Sequence, residues 1–174
     1  LALANHYVQQ TTPMRTQIFV AFTGEEMGML GSKYFSRQLD PEEVVAMINL
    51  EMIGKPSRFG ANSAYITGYD ESDLGKILQH NTEGMEFSFH SDPYPEQNLF
   101  YRSDNATLAR MGVPAHTIST VQIDMDSLYH SVNDEVESLN IPHLRNTIRG
   151  VVWGTQSLVD GSDTPTRVDP QRLQ

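Results

Sequence analysis

At 174 residues the chain fits one domain, long enough to bury a sizeable core. Its 12 basic and 22 acidic residues leave a net charge of −10, which argues against nucleic acid or an anionic membrane surface as a partner. There is no cysteine, so disulfides and thiolate zinc sites are excluded, and any metal must be held by histidine and carboxylate. The acidity suits attraction of metals and protonated amines, and equally suits solubility alone. No apolar run approaches the roughly 20 residues of a membrane span, and no signal peptide is visible.

In chain order, residues Leu1 to Gln10 read as a helix, ended by Thr11-Thr-Pro13. The chain opens directly on that helical pattern, which reads as a start inside a larger domain. Gln17 to Thr23 reads as a strand whose apolar run, Ile18 to Phe22, predicts cover on both faces. Gly28 to Gln38 reads as a helix, and Asp40-Pro-Glu-Glu43 carries turn and helix-start chemistry. Val44 to Ile53 predicts a second buried strand, and Ser63 to Thr67 a third. The segment Tyr69 to Asp73 leads into a helix reaching about Glu83, and Met85 to Phe89 alternates as a strand. After a rigid loop at Asp92-Pro-Tyr-Pro-Glu96 come a short helix, Ser103 to Met111, and a strand, Pro114 to Ser119. Ile141 to Val159 predicts one closing helix, and the polar tail from Ser162, with Pro165 and Pro170, is expected to be loose. Strands alternating with helices indicate an α/β sandwich around a largely parallel sheet.

Chemistry concentrates where the first strand ends. Glu25 and Glu26 stand in tandem at its carboxyl end, the place where open α/β sheets put their ligands. A single carboxylate there could be a solvated charge. Two together, with Gly28 and Gly31 letting the backbone fold tightly behind them, point to one metal ligand and one general base. Glu51 ends a very apolar strand, where an unpaired carboxylate would be costly to bury and a metal or an arginine would offset the cost. His130 sits in the loop Asp126-Ser-Leu-Tyr-His-Ser-Val-Asn-Asp134. A lone histidine is more often structural than ligating, and the remaining five, at 6, 80, 90, 116 and 143, fit no ligand pattern. His-Glu-x-x-His, Gly-x-Ser-x-Gly and phosphate-loop motifs are all missing from the sequence.

Four segments carry a resemblance. Thr23-Gly-Glu-Glu-Met-Gly-Met-Leu-Gly-Ser32 is similar to the glutamate-pair motif of the M28 family of zinc-dependent exopeptidases, which are mostly aminopeptidases. Asn49-Leu-Glu-Met-Ile-Gly54 resembles the next ligand strand of that family. Tyr101-Arg-Ser-Asp-Asn-Ala106 with Gly112-Val-Pro-Ala115 resembles its pocket loop and following strand. Tyr129-His-Ser-Val-Asn-Asp-Glu135 resembles the loop bearing its last histidine ligand. The similarity runs in order from about Leu1 to Gly161.

The resemblance implies a three-layer α/β sandwich, a central, mostly parallel mixed sheet with helices on both faces, truncated at its N-terminus. Residues 1–161 would form part of a peptidase catalytic domain, and 162–174 a polar tail. It implies Glu25 as general base, taking a proton from the attacking water and delivering it to the leaving amine. Glu26, Glu51 and His130 become zinc ligands, with Glu26 and His130 on one ion and Glu51 on the other. Asp134 becomes a candidate to orient the His130 ring, Tyr101 and Arg102 possible oxyanion donors, and Ser103 and Asp104 pins for their loop. The Glu51 position is usually Asp in the family, which puts that ligand's geometry in question. The family's early histidine and its bridging aspartate precede the glutamate pair and have no counterpart here; His6 lies in a helix too close to Glu25 to serve. Two zinc ions are therefore expected in a longer parent that releases N-terminal residues from peptides and is exported to a periplasmic or extracellular space. In these 174 residues zinc binding is expected to be weak or absent, with no turnover and with self-association through the truncated sheet edge. The rival readings are a glutaminyl cyclase-like acyltransferase, which would favour a tryptophan-rich pocket, and a non-catalytic peptidase-like binding domain. The single tryptophan, Trp153, falls in the closing helix.

Overall fold

The computed structural model describes residues 1–10 and 13–172. Helix α1 (Ala2–Val8) opens the chain, and α2 (Leu30–Ser36) follows the glutamate pair. Strand β1 (Met47–Leu50), strand β2 (Ser63–Ile66), helix α3 (Leu74–Asn81) and strand β3 (Ser88–Ser91) come next. Helix α4 (Asn105–Ala109), strand β4 (Ala115–Ser119) and helices α5 (Ile141–Gly154) and α6 (Gln156–Asp160) complete the fold.

The four strands form one mixed sheet in the order β1-β4-β2-β3. β1 runs parallel to β4, with Met47 opposite Ala115 and Leu50 opposite Ile118. β2 runs parallel to β3 and antiparallel to β4. Strand periodicity divides the side chains between two faces. One face carries Ala64, Ile66, Phe89 and Ile118, which pack with Leu74 and Leu78 of α3, Val151 of α5 and Leu158 of α6. The other carries Ala115, packed with Leu108 and Ala109 of α4, and Tyr65, packed with Tyr94 and Val121. Helices thus cover both faces, as the alternation of elements predicts.

Four expectations are corrected by long-range packing. Residues 17–23 form no strand, and Ile18, Phe19 and Val20 are 61%, 52% and 42% exposed. An apolar run signals a demand for burial, but a ladder also needs a neighbouring strand, and among the described residues none pairs with this segment. β1 is shorter than its apolar run and only half-buried, because it is the edge of the sheet. β3 is Ser88–Ser91 rather than Met85–Phe89, since its register is set by β2, which places Phe89 beside Ala64. The closing helix breaks at Thr155, whose hydroxyl turns back to the Val151 carbonyl at 2.8 Å and meets the Tyr7 hydroxyl at 2.5 Å. That hydroxyl pair docks α1 on the end of α5.

The tail is also corrected, as far as Arg172. Val168 is 2% exposed in the cluster of Leu108 and Val113, and its backbone N–H donates to the Gly112 carbonyl at 3.1 Å. Arg167 donates to the Val44 and Pro41 carbonyls, at 2.9 and 3.0 Å. One apolar residue in a polar stretch supplies the anchor. Residues 173 and 174 lie outside the described residues, as do Thr11 and Thr12, expected to help end α1.

Candidate active site

The glutamate pair is presented by a tight turn. Gly24 has φ +66°, a conformation that L side chains rarely adopt. The backbone N–H groups of Gly28 and Met29 both donate to the Glu25 carbonyl, at 2.9 and 2.8 Å, and α2 begins immediately after. Gly31 N–H donates to the Thr23 carbonyl at 2.8 Å, and a Cβ on Gly31 would lie 2.7 Å from the Thr23 nitrogen. Only glycine lets the helix approach the preceding chain this closely, which is the local reason the two glutamates leave the turn together.

Helix α2 is fixed to α4 by Ser32, whose hydroxyl donates to Asp104 Oδ1 at 2.5 Å, both residues being buried. Next to Asp104, Ser103 Oγ accepts from Asn49 Nδ2 at 2.7 Å, and the same amide reaches Thr117 Oγ1 at 3.0 Å. Thr117 in turn donates to Asn105 Oδ1 at 2.8 Å. These bonds tie β1, β4 and the start of α4 together through Ser103 and Asn105, and Asp104 ties the same start to α2. Ser32 and Asn49 complete those ties and carry no sequence signal beyond lying inside the matching motifs.

His130 reaches the glutamate pair across 104 residues of sequence: its Nε2 donates to Glu26 Oε1 at 2.8 Å. The ring of Tyr129 stacks on the imidazole, with centroids 3.9 Å apart and planes inclined by 22°. The pair is open to water, with the His130 and Glu26 side chains 55% and 71% exposed, so it contributes little stability by itself. Glu25 is half-buried beside it. Burial, then the charges of Glu51, Glu26 and Asp104, push the Glu25 carboxyl above the usual carboxylate range, and His130 acts in the opposite direction. Glu51 is pushed up as well, first by burial and then by Asp104 and Glu26, against the Ser103 hydroxyl and the Arg102 cation. These mutual effects place Glu25, Glu26, Glu51, Asp104 and His130 in one electrostatic neighbourhood.

Two expected roles are not found. Asp134 does not face the imidazole; its carboxylate accepts from Lys55 Nζ at 3.0 Å and from Ser138 Oγ at 3.1 Å, and Lys55 holds its pKa down. A cation captured the acid that the sequence offered to the histidine. Tyr101 packs on Phe100, with ring centroids 5.3 Å apart, and lies under Arg110 at 5.9 Å, so it is a loop-packing residue. Arg102 does border a shallow cleft together with Glu51, Ser103, Met52, Leu99 and Tyr129.

Among the described residues, no group of three His, Cys, Asp or Glu is already arranged to hold a metal ion. The donor chemistry nevertheless fits zinc at two of its positions. Two ligands of a tetrahedral zinc with bonds of about 2.0–2.1 Å lie about 3.3 Å apart. The Glu26–His130 contact of 2.8 Å would need to open by only about half an ångström, with the Nε2 proton lost.

The clustered carboxylates make a prediction about stability. Burial and neighbouring acids make Glu25 and Glu51 bind protons more tightly in the folded chain than unfolded. Their ionisation destabilises the fold fully above their raised pKa, and the effect fades as pH falls through that value toward the ordinary one. Glu25→Gln and Glu51→Gln, which mimic the protonated form, are therefore expected to raise the melting temperature of the metal-free chain at about pH 7. The advantage should disappear near about pH 4. Thermal melts at the two pH values check this; a lower melting temperature for both variants at neutral pH contradicts it.

Comparisons with known proteins place the chain in a family and match its fold. The sequence model of Peptidase family M28 matches residues 1–152, and the chain belongs to that family. The fold is similar to the LapA aminopeptidase of Legionella pneumophila, with a TM-score of 0.69 and 20% identity over 87% of this chain and 41% of that one. It is similar also to BSAP, a zinc aminopeptidase from Bacillus subtilis, with a TM-score of 0.64 and 19% identity over 83% of this chain and 36% of that one. An aminopeptidase from Aneurinibacillus sp. strain AM-1 matches with a TM-score of 0.59 and 19% identity, over 79% and 32%. The chain spans between a third and two-fifths of the length of these structures.

Proposed function

We propose that the whole protein is a zinc-dependent aminopeptidase and that this chain supplies its general base and part of its metal site. The observation that carries the reading is the contact of Glu26 with His130, made beside a half-buried Glu25 whose carboxyl favours its proton. Glu26 and His130 would hold one zinc ion, and Glu51, across the carboxylate cluster, would serve a second. Zinc held there polarises a carbonyl and lowers the pKa of water. Glu25 takes the proton of the attacking water on its carboxylate and hands it to the nitrogen of the leaving amine. A pKa raised by burial and by neighbouring acids suits that exchange, because it makes the carboxylate a stronger base toward the water proton. Release of terminal rather than internal residues is part of the same reading, supported by the aminopeptidases whose fold this chain shares.

Two donors offset too little of the cost of stripping water from the ion, so the 174 residues alone are proposed to bind zinc weakly and to turn over no peptide. Self-association is part of the same proposal: β1 leaves one edge unpaired, and Ile18, Phe19 and Val20 are exposed. So are export of the whole protein and the division into residues 1–161 and a short polar tail. The acyltransferase reading has less support, since Trp153 sits on α5 under Arg149 at 4.9 Å and does not line the cleft beside Glu51.

Hydrolysis of aminoacyl amides by the whole protein, with and without a chelator, tests the reading. Activity lost on chelation and restored by zinc is expected. Activity indifferent to chelation, or cyclisation of N-terminal glutamine in preference to hydrolysis, overturns it.

A further inference from the structure

Lys55 follows Glu51 in the segment that leaves β1, and its ammonium grips two carboxylates of the histidine loop at once. Nζ lies 2.8 and 3.1 Å from the two oxygens of Asp126 and 3.0 Å from Asp134 Oδ1. Those aspartates stand four residues before His130 and four residues after it. Each also orders its own stretch of backbone. Asp126 Oδ1 accepts from the Leu128 N–H at 3.1 Å, and Asp134 Oδ1 accepts from Ser138 Oγ at 3.1 Å. Asp126 is nearly buried, its side chain 8% exposed.

His130 itself has φ +56°, a left-handed conformation that an L residue adopts only when its surroundings hold it there. The grip on both flanks is the holding element. Other ties join the same two segments further from the ring: Arg58 Nη2 to Asp124 Oδ2 at 3.2 Å, Gln122 Nε2 to the Pro56 carbonyl at 3.1 Å, and Asn140 N–H to the Gly54 carbonyl at 2.8 Å. They lay the loop on the segment after β1. The Ser131 N–H donates to the Leu128 carbonyl at 2.9 Å and closes the turn at the ring itself, and among the described residues Lys55 is the side chain that bonds to acids on both sides of the histidine.

We propose that Lys55 is a positioning residue for His130. One cation offsets the repulsion between two carboxylates, closes the loop around the imidazole, and couples the chain just after Glu51 to the ring that meets Glu26. The zinc part of this inference rests on the reading of His130 as a metal donor; the loop part does not.

The test uses Lys55→Met, Lys55→Arg and, as a control on the neighbouring tie, Arg58→Met. Two readouts are taken from each. In the metal-free chain, proton NMR reads the upfield ring-current shift of the His130 ring protons from the stacked Tyr129. With the same substitutions in the whole protein, competition with a chelating dye reads zinc affinity. Lys55→Met is expected to abolish the ring-current shift and to weaken zinc binding at least about tenfold, the lower end for loss of a ligand's supporting partner. Lys55→Arg should keep the shift and hold affinity within about threefold, and Arg58→Met should change neither. Should Lys55→Met fail to fold, Asp134→Asn, which removes one arm at an exposed position, is expected to halve the shift or more. An unchanged His130 spectrum in Lys55→Met, or in Asp134→Asn, overturns the proposal, as does an equal loss in Arg58→Met. A Lys55-dependent shift together with no zinc affinity in the whole protein retains the positioning role and removes the metal reading instead.

Discussion

Glu25→Gln is expected to lower kcat for peptide hydrolysis by the whole protein by about 10²–10⁴-fold, the usual contribution of a positioned acid or base. Zinc content should be unchanged. The amide keeps the shape of the side chain, and Glu26 and His130, which meet at 2.8 Å, are untouched. What disappears is the carboxylate oxygen that takes a proton and returns it to the leaving nitrogen. Burial and three neighbouring acids raise the Glu25 pKa, so the wild-type residue is tuned toward holding that proton. Full activity in Glu25→Gln would mean that another group is the base. Loss of metal along with activity would mean that Glu25 is a ligand. Activity measured beside zinc content separates the three outcomes.

His130→Ala is expected to weaken zinc binding to the whole protein by more than the roughly 10–100-fold typical of partners outside the first shell. Glu26→Ala should do the same. Each removes a donor rather than a support for one. The cost to folding should be small in both, because the two side chains are 55% and 71% exposed and their mutual bond competes with water. An undiminished zinc affinity in either variant, measured against a chelating dye, removes that residue from the metal site.

The turn that presents the glutamates was legible because it is local, whereas Ser103, Asp104 and His130, whose ties span 54 to 104 residues, came only from the resemblance of their motifs. The glutamate pair sits on a tight turn set within a few residues: Gly28, with φ +95°, and Gly31 fold behind it as read, and Gly24, with φ +66°, is a further glycine the turn uses. Ser103 and Asp104 tie the start of α4 to β1 and α2, and His130 arrives at Glu26. The errors arise where a second, distant segment decides. Residues 17–23 are apolar enough for a buried strand, yet ladder hydrogen bonds come from a partner, and composition says nothing about where the partner is. Asp134 lies near His130 in sequence, but Lys55 is closer to it in space and carries a full charge. No pattern in the sequence singles out Lys55 as the partner of Asp134. In the tail, Val168 alone distinguished a packed segment from a loose one.

The fold was legible for a related reason. Alternating strands and helices fixed the layers; β2 and β4 lie close to their expected positions because their residues are buried on both faces, and α3 because it lays Leu74 and Leu78 on the sheet. The edge strands β1 and β3 shifted or shortened, since only one neighbour sets the register of each.

Zinc-edge anomalous diffraction from crystals of the whole protein at saturating zinc tests the central claim most directly. The expected result is an anomalous peak bonded to His130 Nε2 and to a Glu26 carboxylate oxygen, at about 2.0–2.2 Å from each, with Glu25 beside it and unligated. A peak held by other residues, or the His130–Glu26 hydrogen bond still intact with zinc bound elsewhere, would contradict it.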